Sequence, residues 1–552
     1  MDTTNGGNGP AEYDVGVIGG GFAGSLLATV LARAGVRTLL LEAAPGPRFA
    51  VGESMVPYSA ALARAVARRY DVPEIAALGS AEQVAGTLSA RSGVLRNVGF
   101  VLHRPGLLQY PGEVYQVVNP SVVPDPPHLY REDVDARLLA LAGRTGAEVR
   151  TGAGAQVEGV RVEADRGAWL RTADGTETAV RYVVDASGPG SPVARELGLR
   201  EEPAAWDHRS RCLYTHMTGV TPYDDTPAGR AGGQPGRWHE GTLHHVFDGG
   251  WLWVIPFGNR RRGGDGPCSV GLVLDARRHP AADGRAPQEE FDAVLGRLPD
   301  VARQFAGARA VRPWASADPV QHSVSRMVGD RYCLASHAAG FVDPLYSRGL
   351  GHSLEVVNAL AWRLIAAARD GDWSTERFLP VEDLQRSLLG AHDDLTRASF
   401  VAFRDPALFN AVVRLWTLST VLGALAVEHA NAAYARTGDD AVFRALEGPD
   451  RPGGAHFASL APLARTLCTD VEAGRRTPAD AAERIFAALR EADYVPPPLG
   501  LADPADRFFH NTPARLLRAA RWVRAEAPED TAVLLKGALR GLLGERLRAA
   551  RR

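Results

Sequence analysis

The chain has 552 residues, more than one compact core usually organises, so two or three packed regions are expected. Hydrophobic residues make up 45% and the formal net charge is −2, which argues against a nucleic-acid or anionic-membrane partner. No uninterrupted apolar run of about 18 residues occurs, so no membrane span is expected.

The first ten residues are polar and rich in Gly and Asn and read as a disordered tail, drawn here as residues 1–11. Tyr13 to Ile18 is an apolar, β-branched run expected to form a buried parallel strand. Gly19-Gly20-Gly21-Phe22-Ala23-Gly24 follows, a GxGxxG turn opening an apolar-periodic stretch that ends at Gly35. A second apolar strand runs from Val36 to Leu41 and ends on Glu42. In this setting Gly19 permits the tight turn, Gly21 admits a pyrophosphate and Gly24 allows helix and strand to touch. The helix N-terminus offers free N–H groups to that pyrophosphate, and Glu42 stands about 20 residues on, where a carboxylate accepts from ribose hydroxyls. These residues predict a site for FAD. From there to about residue 127 the chain reads as irregular, and Arg131 to Gly146 as a helix. Short strands are expected near 148–151, 156–163, 168–172 and 182–185, strands again from Cys212 to Asp275, and mainly helix after Glu355. The four cysteines show no CxxC spacing and read as reduced thiols of a cytoplasmic protein without a metal site. Of the 62 basic side chains 61 are arginine; Lys536 is the one lysine.

Four segments carry a family resemblance. Val183-Val184-Asp185-Ala186-Ser187-Gly188, followed by Arg195 and Gly198, resembles the second FAD-contacting segment of class A flavin monooxygenases, geranylgeranyl reductases and flavin-dependent halogenases. Trp251-Leu252-Trp253-Val254-Ile255-Pro256 matches the WxWxIP signature of the halogenases. Gly52-Glu53-Ser54 with Pro57 resembles their GES…P segment, and Ala338 to Gly349 the segment closing over the flavin ribityl chain and ring. The chain thus resembles flavin-dependent halogenase-like FAD proteins over about residues 12–365.

The resemblance implies an α/β fold: a glutathione-reductase-type Rossmann FAD-binding domain (12–205 and 320–365), an inserted β-sheet substrate domain (206–319) and an α-helical C-terminal region (366–552). It implies that Gly19, Gly21, Phe22, Ala23, Gly24 and Glu42 hold the ADP half, with Ser54 and Asp185 in the cofactor-binding segments. Arg131 would lie on the pyrophosphate side, and Asp343, Gly349 and Leu350 by the ribityl chain and flavin ring. Trp251 and Trp253 would be walls of the active site. The adjacent His244 and His245 point to opposite faces in any strand, and the pair is expected to be structural.

The chain also departs from the family. Halogenases carry a lysine that traps or orients hypohalous acid, in a KxG segment; the best match here is Arg91-Ser92-Gly93. A guanidinium stays protonated and has no lone pair with which to form a haloamine. Ser336-His337 replaces the usual GD, with His337 a donor toward the ribityl chain, and Tyr346 and Arg348 flank Ser347 where an acid and a small hydroxyl residue are more common. No second GxGxxG with strand and helix context occurs, so a separate flavin reductase is one source of electrons. The expected function is an FAD-dependent oxidoreductase or oxygenase acting on an apolar secondary-metabolite small molecule, not halogenating because the lysine is missing. A halogenase with an altered catalytic residue and a redox-neutral cyclase with FAD as scaffold stay open beside it.

Overall fold

The computed structural model describes residues 12–46, 48–120, 123–260, 266–281, 284–448 and 454–549; the expected tail at 1–11 lies outside them. The chain opens with β1 (Tyr13–Ile18), α1 (Phe22–Arg33) and β2 (Thr38–Glu42), the two strands parallel. Gly21 caps α1, so the helix begins inside the glycine turn, three residues before its apolar periodicity alone suggests. It closes at Gly35, whose φ of +78° suits glycine.

The stretch expected to be irregular is built. α2 (Pro57–Arg69) is followed by β3 (Asn97–His103) and β4 (Val114–Val118), which leave the first sheet and join a second one. Their Gly- and Pro-rich flanks hide them from a periodicity reading. α3 (Arg131–Thr145) returns the chain to the first sheet, where β5 (Glu148–Thr151) pairs with β2. A hairpin of residues 157–163 and 167–172 leads into β6 (Glu177–Asp185), which lies parallel to β1 and sets Asp185 beside Ile18.

β7 (Ser210–Thr218), β8 (Gly241–Phe247), β9 (Gly250–Pro256) and β10 (Cys268–Asp275) then complete the second sheet in the order β7-β10-β9-β8-β3-β4. Residues 508–510 add a strand beyond β4. The second sheet therefore draws on residues 97–118 and 508–510 as well as on residues 206–319. β11 (Tyr332–Leu334) pairs with β6 in the first sheet and hands over to α4 (Arg348–Asp370).

The C-terminal region is helical, with α5 (Thr375–Ala402), α6 (Pro406–Thr437), α7 (Pro513–Ala525) and α8 (Glu529–Ala549) among its members. α6 is long and apolar enough to cross a membrane by length and composition, although it holds no uninterrupted apolar run of that length, and 72% of its most apolar 18-residue window is buried inside the fold. One face of the second sheet carries Phe100, Trp251, Trp253 and Ile255, and α5 and α6 bury it in a single core with Leu408, Phe409 and Trp416.

Candidate functional site

Two cavities lie over that face. The first, of about 880 Å3, stands where the FAD-domain sheet meets the second sheet. Its lining includes Glu53, Ser54, His244, Trp251, Trp253 and His337, with Gly349 and Leu350 at the start of α4. Trp251 and Trp253 share one strand face, as residues two apart must, and their rings stand 5.6 Å apart.

The glycine turn is fitted to a dinucleotide. A Cβ on Gly24 would lie 1.9 Å from the Gly19 carbonyl oxygen, and Gly19 itself sits at φ +98° against the backbone of Ser187. A Cβ on Gly21 meets only the Arg48 guanidinium, so protein packing leaves that position open. Phe22 is buried in the first turn of α1, and Ala23 is half-buried beside it. Glu42 ends β2 with its carboxylate accepting from the Gly20 N–H at 2.6 Å and the Ala44 N–H at 2.8 Å. At the other end, His337 Nε2 is buried without a partner, 3.0 Å from where a Cβ on Gly349 would stand. Burial pushes His337 down to about 4, so its ring is neutral near pH 7. An orphaned nitrogen and a bare helix start on the cavity wall fit a flavin with polar edges.

Other expected residues serve the frame. Asp185 is fully buried, and its carboxylate accepts from the Ser187 N–H, Ser187 Oγ, Ser191 Oγ and the Val193 N–H. It fixes the loop that closes on Gly19, and no face of it is open to a ligand. Asp343 likewise accepts from His208 Nε2 (3.0 Å), Ser210 Oγ (2.7 Å) and the Leu345 N–H (3.0 Å), pinning the approach to α4 onto β7. The Arg131 guanidinium holds Asp135 and the carbonyls of Val51 and Gly52, so it clamps the GES turn. Ser54 Oγ bonds Thr242 Oγ1 at 2.6 Å and ties that turn to β8.

Arg91 requires the largest correction. Its side chain is half exposed, ion-paired with Asp133 and Glu132, and stacked over Tyr130 at 3.9 Å. It does not line the cavity. The acidic pair that opens α3 draws it outward.

Sequence reasoning missed two features of the cavity wall. Glu53 is buried and accepts from His216 Nε2 at 2.8 Å, while His216 Nδ1 accepts from Arg312 Nε at 3.1 Å. His244 and His245 do face opposite ways, but they differ in kind. His245 bonds His103 and Gln304 on the far side of the sheet. His244 faces the cavity and lies flat on Phe100, ring centroids 4.5 Å apart and planes at 14°. Its Nδ1 sits 3.1 Å from the Gly99 carbonyl, which can only accept, so the proton is on Nδ1 and Nε2 keeps its lone pair. Burial pushes this histidine down to about 4, despite the bond to Gly99.

The second cavity, of about 260 Å3, lies under α6, α7 and α8 and reaches β3 and β4. Val98, Val117, Trp416, Thr420, Leu516 and Leu535 are among its almost wholly apolar lining. Two buried polar atoms in its wall, Trp416 Nε1 and Asn511 Oδ1, have no protein partner. An aromatic partition separates the two cavities. Phe100 meets Trp416 edge-on at 5.6 Å, and Trp416 stacks on Tyr346 at 5.3 Å. Tyr346 and Ser347 both adopt left-handed backbone, at φ +72° and +53°, a strain held at the boundary between the chambers. Trp416 stands in a helix far along the chain, and no sequence motif singles it out. Among the described residues no cluster of metal-ligating side chains occurs.

Residues 12–48 match the FAD binding domain model FAD_binding_3. The chain is 40% identical to the tetracycline 7-halogenase of Kitasatospora aureofaciens, over 99% of this chain and 98% of that protein. It is 39% identical to the monodechloroaminopyrrolnitrin halogenase PrnC of Pseudomonas fluorescens, over 94% of this chain and 93% of that one. The crystal structure of halogenase PltM in complex with phloroglucinol and FAD superposes with a TM-score of 0.85 at 31% identity, covering 90% of this chain and 99% of that chain.

Proposed function

The chain belongs to the flavin-dependent halogenases, FAD-dependent enzymes, and from that premise we propose that it oxidises an apolar, ring-bearing small molecule without passing halogen through a lysine amine. FAD, when bound, supplies the electron transfer and the activation of oxygen. The glycine turn and Glu42 would hold its ADP half, and the start of α4 with His337 would line the flavin ring. The substrate would occupy the second cavity, where apolar walls favour a ring and Trp416 Nε1 and Asn511 Oδ1 would anchor one acceptor and one donor on it. Electrons would come from a separate flavin reductase, because the chain has one glycine-turn nucleotide fold among its described residues.

The observation that carries the reading is the lysine count. Lys536 is the chain's one amine-bearing side chain, and it is exposed on α8 while Leu535 and Leu539 of that helix line the second cavity. Arginine cannot substitute, since its pKa above about 12 leaves no neutral form near pH 7. A second reading, halogenation through another side chain, is favoured by the free Nε2 of His244 on the cavity wall.

The test is conversion of phenol, indole and pyrrole acceptors with a flavin reductase, FAD, NADH and oxygen, with and without bromide, read by mass spectrometry. An oxidised product that forms without halide is expected. Trp416→Ala is expected to raise KM about tenfold, the loss of roughly 1.4 kcal/mol of ring packing and hydrogen bonding, at unchanged FAD affinity. Unchanged KM in that variant would remove the substrate from the second cavity, and a product formed only with bromide would replace the first reading by the second.

A further inference from the structure

The partition between the cavities is made of rings, and His244 is the ring that carries a free nitrogen lone pair. On one side its edge lines the first cavity; on its face lies Phe100, which touches Trp416 on the wall of the second. The Gly99 carbonyl fixes the tautomer that leaves Nε2 unprotonated. Trp251 stands 5.4 Å away and its indole N–H is unpartnered. The other histidines on this cavity are placed differently. His322 Nε2 donates to the His337 carbonyl, and His337 faces the start of α4. A neutral imidazole nitrogen is a good nucleophile toward an electrophilic halogen, which a guanidinium is not.

We propose that His244 Nε2 takes halogen from hypohalous acid and holds it as an N-haloimidazole at the partition between the two cavities. The proposal rests on the second reading above. In the first step the Nε2 lone pair forms a bond to the halogen and the oxygen–halogen bond breaks. The departing hydroxide is neutralised by the ring's N–H proton, so that hypohalous acid and imidazole give N-haloimidazole and water. In the second step an aromatic carbon of the substrate bonds the halogen as the nitrogen–halogen bond breaks. The proton lost from that carbon restores the imidazole.

The experiment needs no turnover. The full chain loaded with oxidised FAD receives one equivalent of hypobromous acid, is desalted rapidly, and is examined in two ways: by iodide titration of the retained oxidant and by peptide mass mapping. About one oxidising equivalent per chain is expected, with one bromine in place of one hydrogen on the peptide containing His244. Addition of a phenol should discharge it. His244→Asn keeps an N–H for the Gly99 carbonyl but has no ring nitrogen to halogenate. It should bind FAD normally and retain less than a tenth of the oxidant. His322→Asn, a histidine on the same cavity, should retain all of it. Cys212 lines the same cavity, so Cys212→Ser is run as well and should still label at His244. Bromine found on Trp251, Trp253 or Cys212 in place of His244, or undiminished retention in His244→Asn, would overturn the proposal. Because trapping is read without substrate, a labelled chain that converts no acceptor would count against the proposed function alone.

Discussion

Gly24→Val is expected to leave the first domain misfolded, whereas Gly21→Val is expected to fold and to bind no FAD. The two glycines stand three residues apart in one motif, yet their surroundings differ. At Gly24 even a methyl group would lie 1.9 Å from the Gly19 carbonyl oxygen, where backbone meets backbone and neither can yield. The cost of forcing α1 off β1 is on the order of 3 kcal/mol or more. At Gly21 the new side chain meets only the tip of Arg48, which can swing into solvent. What it would displace, on the proposed assignment, is the cofactor's pyrophosphate. Circular dichroism should show a native melt for Gly21→Val and a lost or strongly lowered one for Gly24→Val. FAD titration of Gly21→Val should show affinity reduced at least about 100-fold, or roughly 2.8 kcal/mol. Full FAD affinity in that variant would contradict the assignment of the motif.

Asp343→Ala should be among the most destabilising single changes away from the glycine turn. The carboxylate is fully buried and takes three hydrogen bonds, from His208, Ser210 and the Leu345 N–H. Its removal strands three buried donors, and each unsatisfied group costs about 1–3 kcal/mol, so a loss of about 3 kcal/mol or more is expected. Asp343→Asn keeps an acceptor oxygen and should recover part of it. Urea unfolding of the three proteins measures the difference. The same change should loosen FAD binding, because Asp343 pins the turn from which α4 presents Gly349 and Leu350 to the first cavity. Equal stability of Asp343→Ala and the parent would mean that these bonds do not hold that turn.

The nucleotide site was legible because it is local: strand, glycine turn, helix, strand and acid fall within residues 13–42 and each part has its own signal. The shared face of Trp251 and Trp253 was legible for the same reason, since alternation is a property of the strand. What the sequence did not disclose is assembled across long separations. The second cavity joins α2 and the edge of β4 to helices four hundred residues later, and no pattern in either segment announces the other. Glu53 meets His216 and Arg312 through three separate crossings of the chain. Arg91 was placed in the site by its resemblance to the family's KxG segment; Asp133 and Glu132, brought to it by the fold, hold it outside the cavity. His244 and His245 are equivalent as letters and distinct once the sheet assigns them to faces. β3 and β4 were overlooked because Gly and Pro crowd their flanks, and β3 takes its register from β8, some 140 residues away.

If the chemistry runs without a lysine amine, as proposed, Lys536→Arg must be silent, for that one substitution leaves a chain with no lysine at all. Parent and variant would be supplied with reduced FAD, oxygen, bromide and the acceptor that the parent converts best, and their products compared by mass spectrometry. The same product at the same rate is expected, since Lys536 is exposed to solvent. Loss of conversion in Lys536→Arg, with FAD binding intact, would contradict it.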